Sequence, residues 1–325
     1  MKAVIPLAGL GTRLRPQTHS KPKPLVNVAG KPVLGHVLDL LADLPIEQYI
    51  FITGYLGEQI EEYVQSRGND LNAVYVEQKE RKGQSHAIHL AKDYIDSDLL
   101  ILFVDTLFEY PVSRLVNTGG DGTLLVKEVA DPRQYGVVVI EDGRITRLVE
   151  KPSTPVSNLA VIGAYYIRNH ELFLDCLEKQ VTSGATNKGE YYLADCLQMM
   201  IDQGAELRAD HVGVWLDCGS SDNLLEANRY LLRKSHYVGG QIENSILKPP
   251  VYIADSAVVK NCVLGPNVSV ANGVNVEESI ISDSIISEDA RIAKTHLKGS
   301  LIGKNARVQG APVCLNVGDH SEISY

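Results

Sequence analysis

The chain lacks any apolar run of membrane-spanning length. The uninterrupted stretch at residues 99–104 falls far short of the ~20 residues that a span requires. No secretory leader is expected either, because Met1-Lys2-Ala3-Val4 reaches Pro6 and Gly9 before an apolar core could form. A soluble, cytoplasmic protein with no membrane partner is therefore expected. The five cysteines, at 176, 196, 218, 262 and 314, are odd in number and show no C-x-x-C spacing, which leaves buried thiols rather than a disulfide framework or a thiolate zinc site. Two familiar nucleotide loops are missing as well: G-x-G-x-x-G would need glycine where Leu14 stands, and G-x-x-x-x-G-K-[ST] is absent. Acidic residues do not occur before Asp39, although the protein has 40 Asp and Glu against 31 Lys and Arg, a formal charge of −9.

What fills the acid-free stretch is six Lys or Arg residues around a glycine loop, and residues 4–26 are the part of the chain on which the rest is organised. Gly9 and Gly11 carry no Cβ, so the backbone can turn sharply and bring its N–H groups against an anion; Arg13 and Lys23 add charge to that cradle. A basic island in an acidic protein points to a local phosphate site, not to a nucleic-acid surface.

At 325 residues and 44% hydrophobic the chain is long enough for two domains, expected over 1–236 and 237–325. Helix-spaced Val33, Leu34, Val37, Leu38, Leu41 and Leu44 precede the apolar run 49–52, and the alternation continues with a helix at 57–64, a strand at 73–76, a helix at 85–94 and the strand 99–104. This predicts an α/β open sheet with helices on both faces, whose ligands collect at the carboxyl ends of the strands. Asp105 and Asp217 each follow such an apolar run, and two carboxylates at one edge can hold a Mg²⁺ ion. Glu141-Asp142-Gly143-Arg144 between apolar alternations is a hairpin signal that brings Gly136 and Glu150-Lys151 to its open end. Past Gly239-Gly240 a short period appears, as in Gly265-Pro266-Asn267-Val268-Ser269-Val270 and Ser287-Glu288-Asp289-Ala290-Arg291-Ile292. Residues 271–286 and 287–302 each make one three-sided coil of a parallel β-helix, whose faces and end coils suit subunit contacts in a homo-oligomer.

The segment Gly9-Leu10-Gly11-Thr12-Arg13-Leu14 with Pro22-Lys23-Pro24-Leu25 resembles the signature of the sugar-1-phosphate nucleotidylyltransferases, the nucleotide-sugar pyrophosphorylases, and seven ordered segments carry the likeness over about residues 1–234. In appearance the chain is similar to glucose-1-phosphate thymidylyl- and uridylyltransferases. The resemblance implies a Rossmann-like open mixed sheet followed by a left-handed β-helix of hexapeptide repeats. It implies that Leu7, Ala8, Gly9, Gly11 and Thr12 bind the nucleotide, with Gln78 and Gly83 of the loop Q-x-x-x-x-G at the base. Phe103-Val104-Asp105-Thr106 and Trp215-Leu216-Asp217-Cys218-Gly219 look like the two metal segments, with Val104 where glycine is usual and Cys218 where threonine is frequent. Tyr135, Gly136, Glu150, Asn158, Gly163 and Glu190 match positions that hold the sugar phosphate, while Ile162 and Ala194 stand where threonine is common.

By the same resemblance a sugar-1-phosphate oxygen attacks the α-phosphorus of a nucleoside triphosphate in line with departing pyrophosphate, without a protein nucleophile. Arg13, Lys23 and Lys151 are the expected catalytic charges, Mg²⁺ the cofactor, and dTTP or UTP with glucose-1-phosphate the favoured substrates. GDP-mannose-type or N-acetylglucosamine-1-phosphate chemistry is the alternative, with or without acetyltransferase activity. About four coils without a long inserted loop argue against a complete acetyltransferase, and His296 and His320 read as exposed residues rather than its base. A non-catalytic, ligand-sensing relative is the further alternative, against which the joint survival of Arg13, Lys23, Asp105, Lys151 and Asp217 speaks.

Overall fold

A computed structural model describes residues 1–68, 71–117, 119–311 and 317; His320 and Cys314 lie outside them. The chain divides into two compact units, one of Met1–Asn27 with Lys31–Ala227 and one of Val28–Gly30 with the chain from Asn228 onward. No helix among the described residues is long and apolar enough to cross a membrane.

The first unit is built on one mixed sheet. Its strands are β1 (Lys2–Pro6), β2 (Gln48–Thr53), β3 (Ala73–Glu77), β4 (Leu99–Leu102), β6 (Gly122–Glu128), β7 (Gly136–Glu141), β8 (Arg144–Glu150), β9 (Leu159–Ile167) and β10 (Leu207–His211), while β5 (Thr106–Glu109) pairs separately with β11 (Val214–Asp217). The path across the sheet is β8-β7-β9-β4-β1-β2-β3, with β6 between β9 and β10. Strands β1 to β4 are parallel; β9 runs antiparallel to β4, β6 and β7. Both neighbours of β1 follow it in the chain, β2 on one side and β4 on the other, so strand order reverses there and a crevice opens at the carboxyl ends of β1 and β4.

Local chemistry accounts for the elements. Helix α1 (Val33–Leu41) starts after Pro32 and buries Val33, Leu34, Val37, Leu38 and Leu41 of the helix-spaced set, while Leu44 lies past its end. Strand β4 is buried at every position, as a central parallel strand covered on both faces must be. It stops at Leu102 rather than at residue 104, because the chain turns at Val104-Asp105 into β5. The helix expected over 85–94 spans Gln84–Leu90 (α2) and tightens into a 3₁₀ turn at Lys92–Tyr94, a common way for a helix to end. The β7–β8 hairpin closes through Asp142 and Gly143 at φ 49 and 77, the pair of positive values that a two-residue turn matched to strand twist requires.

One irregularity shapes the sheet beside the crevice. Strand β9 pairs with β7 at Ala160 and with β4 from Ala164, and its register against β6 shifts between Val161 and Tyr165. Gly163 sits in that break at φ 87, where a Cβ would come within 3.2 Å of the Phe103 side chain. The sheet therefore parts locally between β7 and β4.

In the second unit three parallel sheets of five, five and four strands form the sides of a β-helix. Val251 pairs with Val268 and Val268 with Ser284, so successive coils advance by 17 and then 16 residues. Val259, Val276 and Ile292 stack inward on one side and Leu264 and Ile281 on another, all but closed to solvent. Deleting part of such a stack leaves a cavity that rigid coils cannot collapse around. Ile281→Ala is expected to lower unfolding stability by about 2–5 kcal/mol in urea denaturation; a loss below about 1 kcal/mol would contradict close packing there.

Candidate active site

Two adjoining cavities open at the carboxyl ends of β1 and β4. The first, about 300 Å³, is bounded by Leu7, Ala8, Gly9, Lys23, Gln78 and Gly83; the second, about 210 Å³, by Arg13, Tyr135, Gly136, Glu150, Lys151 and Asp217. Asp105, Gln84 and Phe103 line both and form the wall between them.

Each side chain arrives by a traceable route. The Leu7 N–H donates to Ile52 O at 2.7 Å, extending β1 by one bond before the loop leaves the sheet. Gly11 then turns at φ 62 and opens the 3₁₀ segment Thr12–Leu14, which carries Arg13. A second 3₁₀ segment, Lys23–Leu25, has proline within its first turn, where no N–H is needed, and aims Lys23 into the crevice. Lys23 Nζ donates to Asp105 Oδ2 at 2.9 Å. Desolvation pushes the Asp105 carboxyl up, but the Lys23 charge and hydrogen bond, with Arg13 behind them, prevail and hold it below its ordinary value.

Asp217 reaches the same place through strand pairing. It stands opposite Thr106, and the Cys218 N–H donates to Asp105 O at 2.8 Å; both carboxylates line the second cavity. Asp217 accepts from the Gly219 N–H at 2.7 Å and from Asn223 Nδ2 at 2.8 Å, which fixes its orientation. A Cβ on Gly219 would lie 2.7 Å from Asp217 Oδ1 and 3.1 Å from Arg13 Nη2, so this glycine leaves room for the guanidinium beside the carboxylate. No group of three or more His, Cys, Asp or Glu that could enclose a metal occurs among the described residues. Two hard carboxylates facing a cavity nonetheless fit Mg²⁺, which keeps several waters and takes further oxygens from substrate phosphates.

In the second cavity Glu150 pairs with Gly136 across the hairpin's open end, and a Cβ at position 136 would meet Glu150 Oε2 at 2.9 Å. Burial pushes the Glu150 carboxyl above its ordinary value; Lys151 opposes the shift, and Asp195 and Glu190 add to it. Lys151 has φ 43, a left-handed conformation unusual for a side chain of this size, and its N–H donates to Tyr135 O at 3.0 Å. Its Nζ lies 3.5 Å from Glu150 Oε1 and 4.9 Å from the centre of the Tyr192 ring. Trp215 meets Tyr135 edge-on at 5.1 Å and donates from Nε1 to Thr106 Oγ1 at 2.6 Å.

Among residues expected from the sequence, Leu7, Ala8, Gly9, Lys23, Gln78 and Gly83 gather in the first cavity, and Arg13, Tyr135, Gly136, Glu150, Lys151, Gly163 and Asp217 in the second. Glu190, expected with the sugar-phosphate residues, lines the first cavity and not the second, and Gly11, Thr12 and Asn158 line neither. The Gly11 carbonyl accepts from Thr18 Oγ1 at 2.8 Å, and the Asn158 carbonyl accepts from the Val129 N–H at 3.0 Å. Arg81, Gln84 and Tyr192 are additions. Gln84 directly follows Gly83 of the Q-x-x-x-x-G loop and is within reach of sequence reasoning, whereas nothing local in Tyr191-Tyr192 marks a ring under a lysine.

The family profile for nucleotidyl transferases matches residues 2–234, and that for the GlmU-like C-terminal hexapeptide matches 228–283. A glucose-1-phosphate thymidylyltransferase of Streptomyces griseus is 30% identical over 99% of this chain and 98% of its own length. The bifunctional protein GlmU of Methanocaldococcus jannaschii is 35% identical over 79% of this chain and 61% of its own. The crystal structure of a UDP-glucose pyrophosphorylase complexed with UDP-glucose superposes with a TM-score of 0.63 at 25% identity, covering 72% of this chain and 98% of that one. The expected architecture, a Rossmann-like mixed sheet followed by a left-handed β-helix of hexapeptide repeats, stands.

Burial of Glu150 has a measurable consequence. A carboxyl whose folded pKa is raised holds its proton in the folded state where the unfolded chain has released it, so stability falls as pH rises through and above the ordinary carboxylate range. Glu150→Gln removes that slope. The melting temperature of the variant relative to the parent is expected to climb from acid to neutral pH, and a flat difference would contradict the burial assigned to Glu150.

Proposed function

The chain belongs to the nucleotidyl transferase family and is a nucleotidyltransferase, and from that premise we propose that it joins a nucleoside triphosphate, dTTP or UTP, to glucose-1-phosphate. The observation that carries the reading is the pair of cavities meeting at Asp105, with Lys23 on one side and Lys151 on the other. A triphosphate in the first cavity places its phosphates along the Gly9 loop and Lys23. A sugar phosphate in the second places its phosphate at Lys151 and its hydroxyls at Glu150 and the backbone of Gly136.

An oxygen of the sugar phosphate then forms a bond to the α-phosphorus, and the bond from that phosphorus to the bridging oxygen of the β-phosphate breaks. Pyrophosphate leaves with the electron pair. Lys151 holds the attacking phosphate close against charge repulsion, and Arg13 and Lys23 stabilise charge that builds on the departing phosphates. Asp105 and Asp217 would hold Mg²⁺, which when bound supplies charge neutralisation and in-line alignment of the phosphates. Self-association through the β-helix and a cytoplasmic setting belong to the same proposal.

A second reading, N-acetylglucosamine-1-phosphate as acceptor, is favoured by the GlmU-like hexapeptide segment. Pyrophosphate release across a grid of nucleoside triphosphates and sugar-1-phosphates separates the two, and dTTP or UTP with glucose-1-phosphate is the cell expected to dominate. Lys23→Ala and Lys151→Ala are each expected to lower kcat by roughly 10²- to 10³-fold while the protein stays folded. Near-parental turnover in either would remove that lysine from the reaction.

A further inference from the structure

Gln78 carries an inference that rests on the nucleotide reading of the first cavity and goes beyond it. It follows β3, is 6% exposed and lines that cavity, and its backbone N–H donates to Thr53 O at 2.8 Å. Its Nε2 lies 3.1 Å from Gly83 O and 3.1 Å from His86 Nδ1. A backbone carbonyl oxygen can only accept, so the side-chain atom against it must be the amide nitrogen, and the orientation of the amide follows from chemistry. The second amide hydrogen then goes to His86 Nδ1, which must accept it and so carries no proton. Burial of the His86 ring, with Lys82 and His89 against Glu80, holds its pKa below the ordinary value and keeps it neutral. Both hydrogens of the amide are thus used within the protein, and only Oε1, an acceptor, is left for a ligand.

We propose that His86 is a positioning residue that locks the Gln78 amide with its carbonyl oxygen toward the base, so that the cavity selects uracil, thymine or guanine over cytosine and adenine. The selected bases present a ring N–H to that oxygen; cytosine and adenine present a ring nitrogen that accepts, and two acceptors face to face repel. Arg81 lines the same cavity and can only donate, which suits the carbonyl flanking such an N–H.

Calorimetric titration with UTP, GTP, CTP and ATP tests this on the intact protein and needs no turnover, so its failure is distinct from failure of the transfer reaction in the pyrophosphate assay. UTP is expected to bind about tenfold or more tighter than CTP. His86→Leu frees the amide to rotate and should shrink that ratio to about threefold or less, whereas His86→Asn, whose side-chain oxygen can accept in place of Nδ1, should keep it. A purely structural His86 would weaken all four triphosphates alike and leave the ratio unmoved, which would overturn the proposal. Equal affinity of the parent protein for UTP and CTP would overturn it without recourse to either variant.

Discussion

The ion pair between Lys23 and Asp105 is the contact on which the rest of the site depends. Its two halves come from loops that leave neighbouring parallel strands, and they meet because the strand order reverses between β1 and β4. Desolvation pushes the Asp105 carboxyl up, and the charge and hydrogen bond of Lys23 outweigh it and hold the carboxyl below its ordinary value. It lines both cavities as a hard oxygen acceptor between them.

Around that pair the fold uses irregularity for position. The break at Gly163 lies in the wall of the second cavity, while the Asp142-Gly143 turn and the register shift between Ile145 and Arg147 together set Glu150 opposite Gly136 at its mouth. Lys151 follows directly after β8 in a left-handed conformation, held by one backbone hydrogen bond to Tyr135 and flanked by Glu150 and the Tyr192 ring. Strain of this kind persists where surroundings over-determine it, and here they direct an ammonium group toward the cavity. The β-helix follows the opposite rule, in which one coil is repeated with the same inward positions and little local variation.

Much of this was legible in the chain. The period of the β-helix, the hairpin at Asp142-Gly143 and the alternation of strand and helix through residue 104 depend on neighbours in sequence, and the structure has all three. The gathering of Lys23, Asp105, Lys151 and Asp217 was reachable from the rule that ligands sit at carboxyl ends, helped by resemblance. What was not legible depends on contacts across the fold. The position of Glu190 in the first cavity, the Tyr192 ring beneath Lys151 and the hold of His86 on Gln78 each join segments whose local patterns say nothing of one another. Gly11 shows the complementary case: the sharp turn expected of a glycine loop is there, at φ 62, yet Gly11 lines neither cavity.

The central claim is that both substrates sit in their cavities at once and that transfer is a single displacement across Asp105, with no protein nucleophile. The stereochemical course at the α-phosphorus tests it most directly, using a triphosphate made chiral there by sulfur substitution. A single in-line displacement predicts inversion of configuration in the nucleotide sugar. Retention would require two displacements, hence a covalent nucleotidyl-protein intermediate, and would contradict the account.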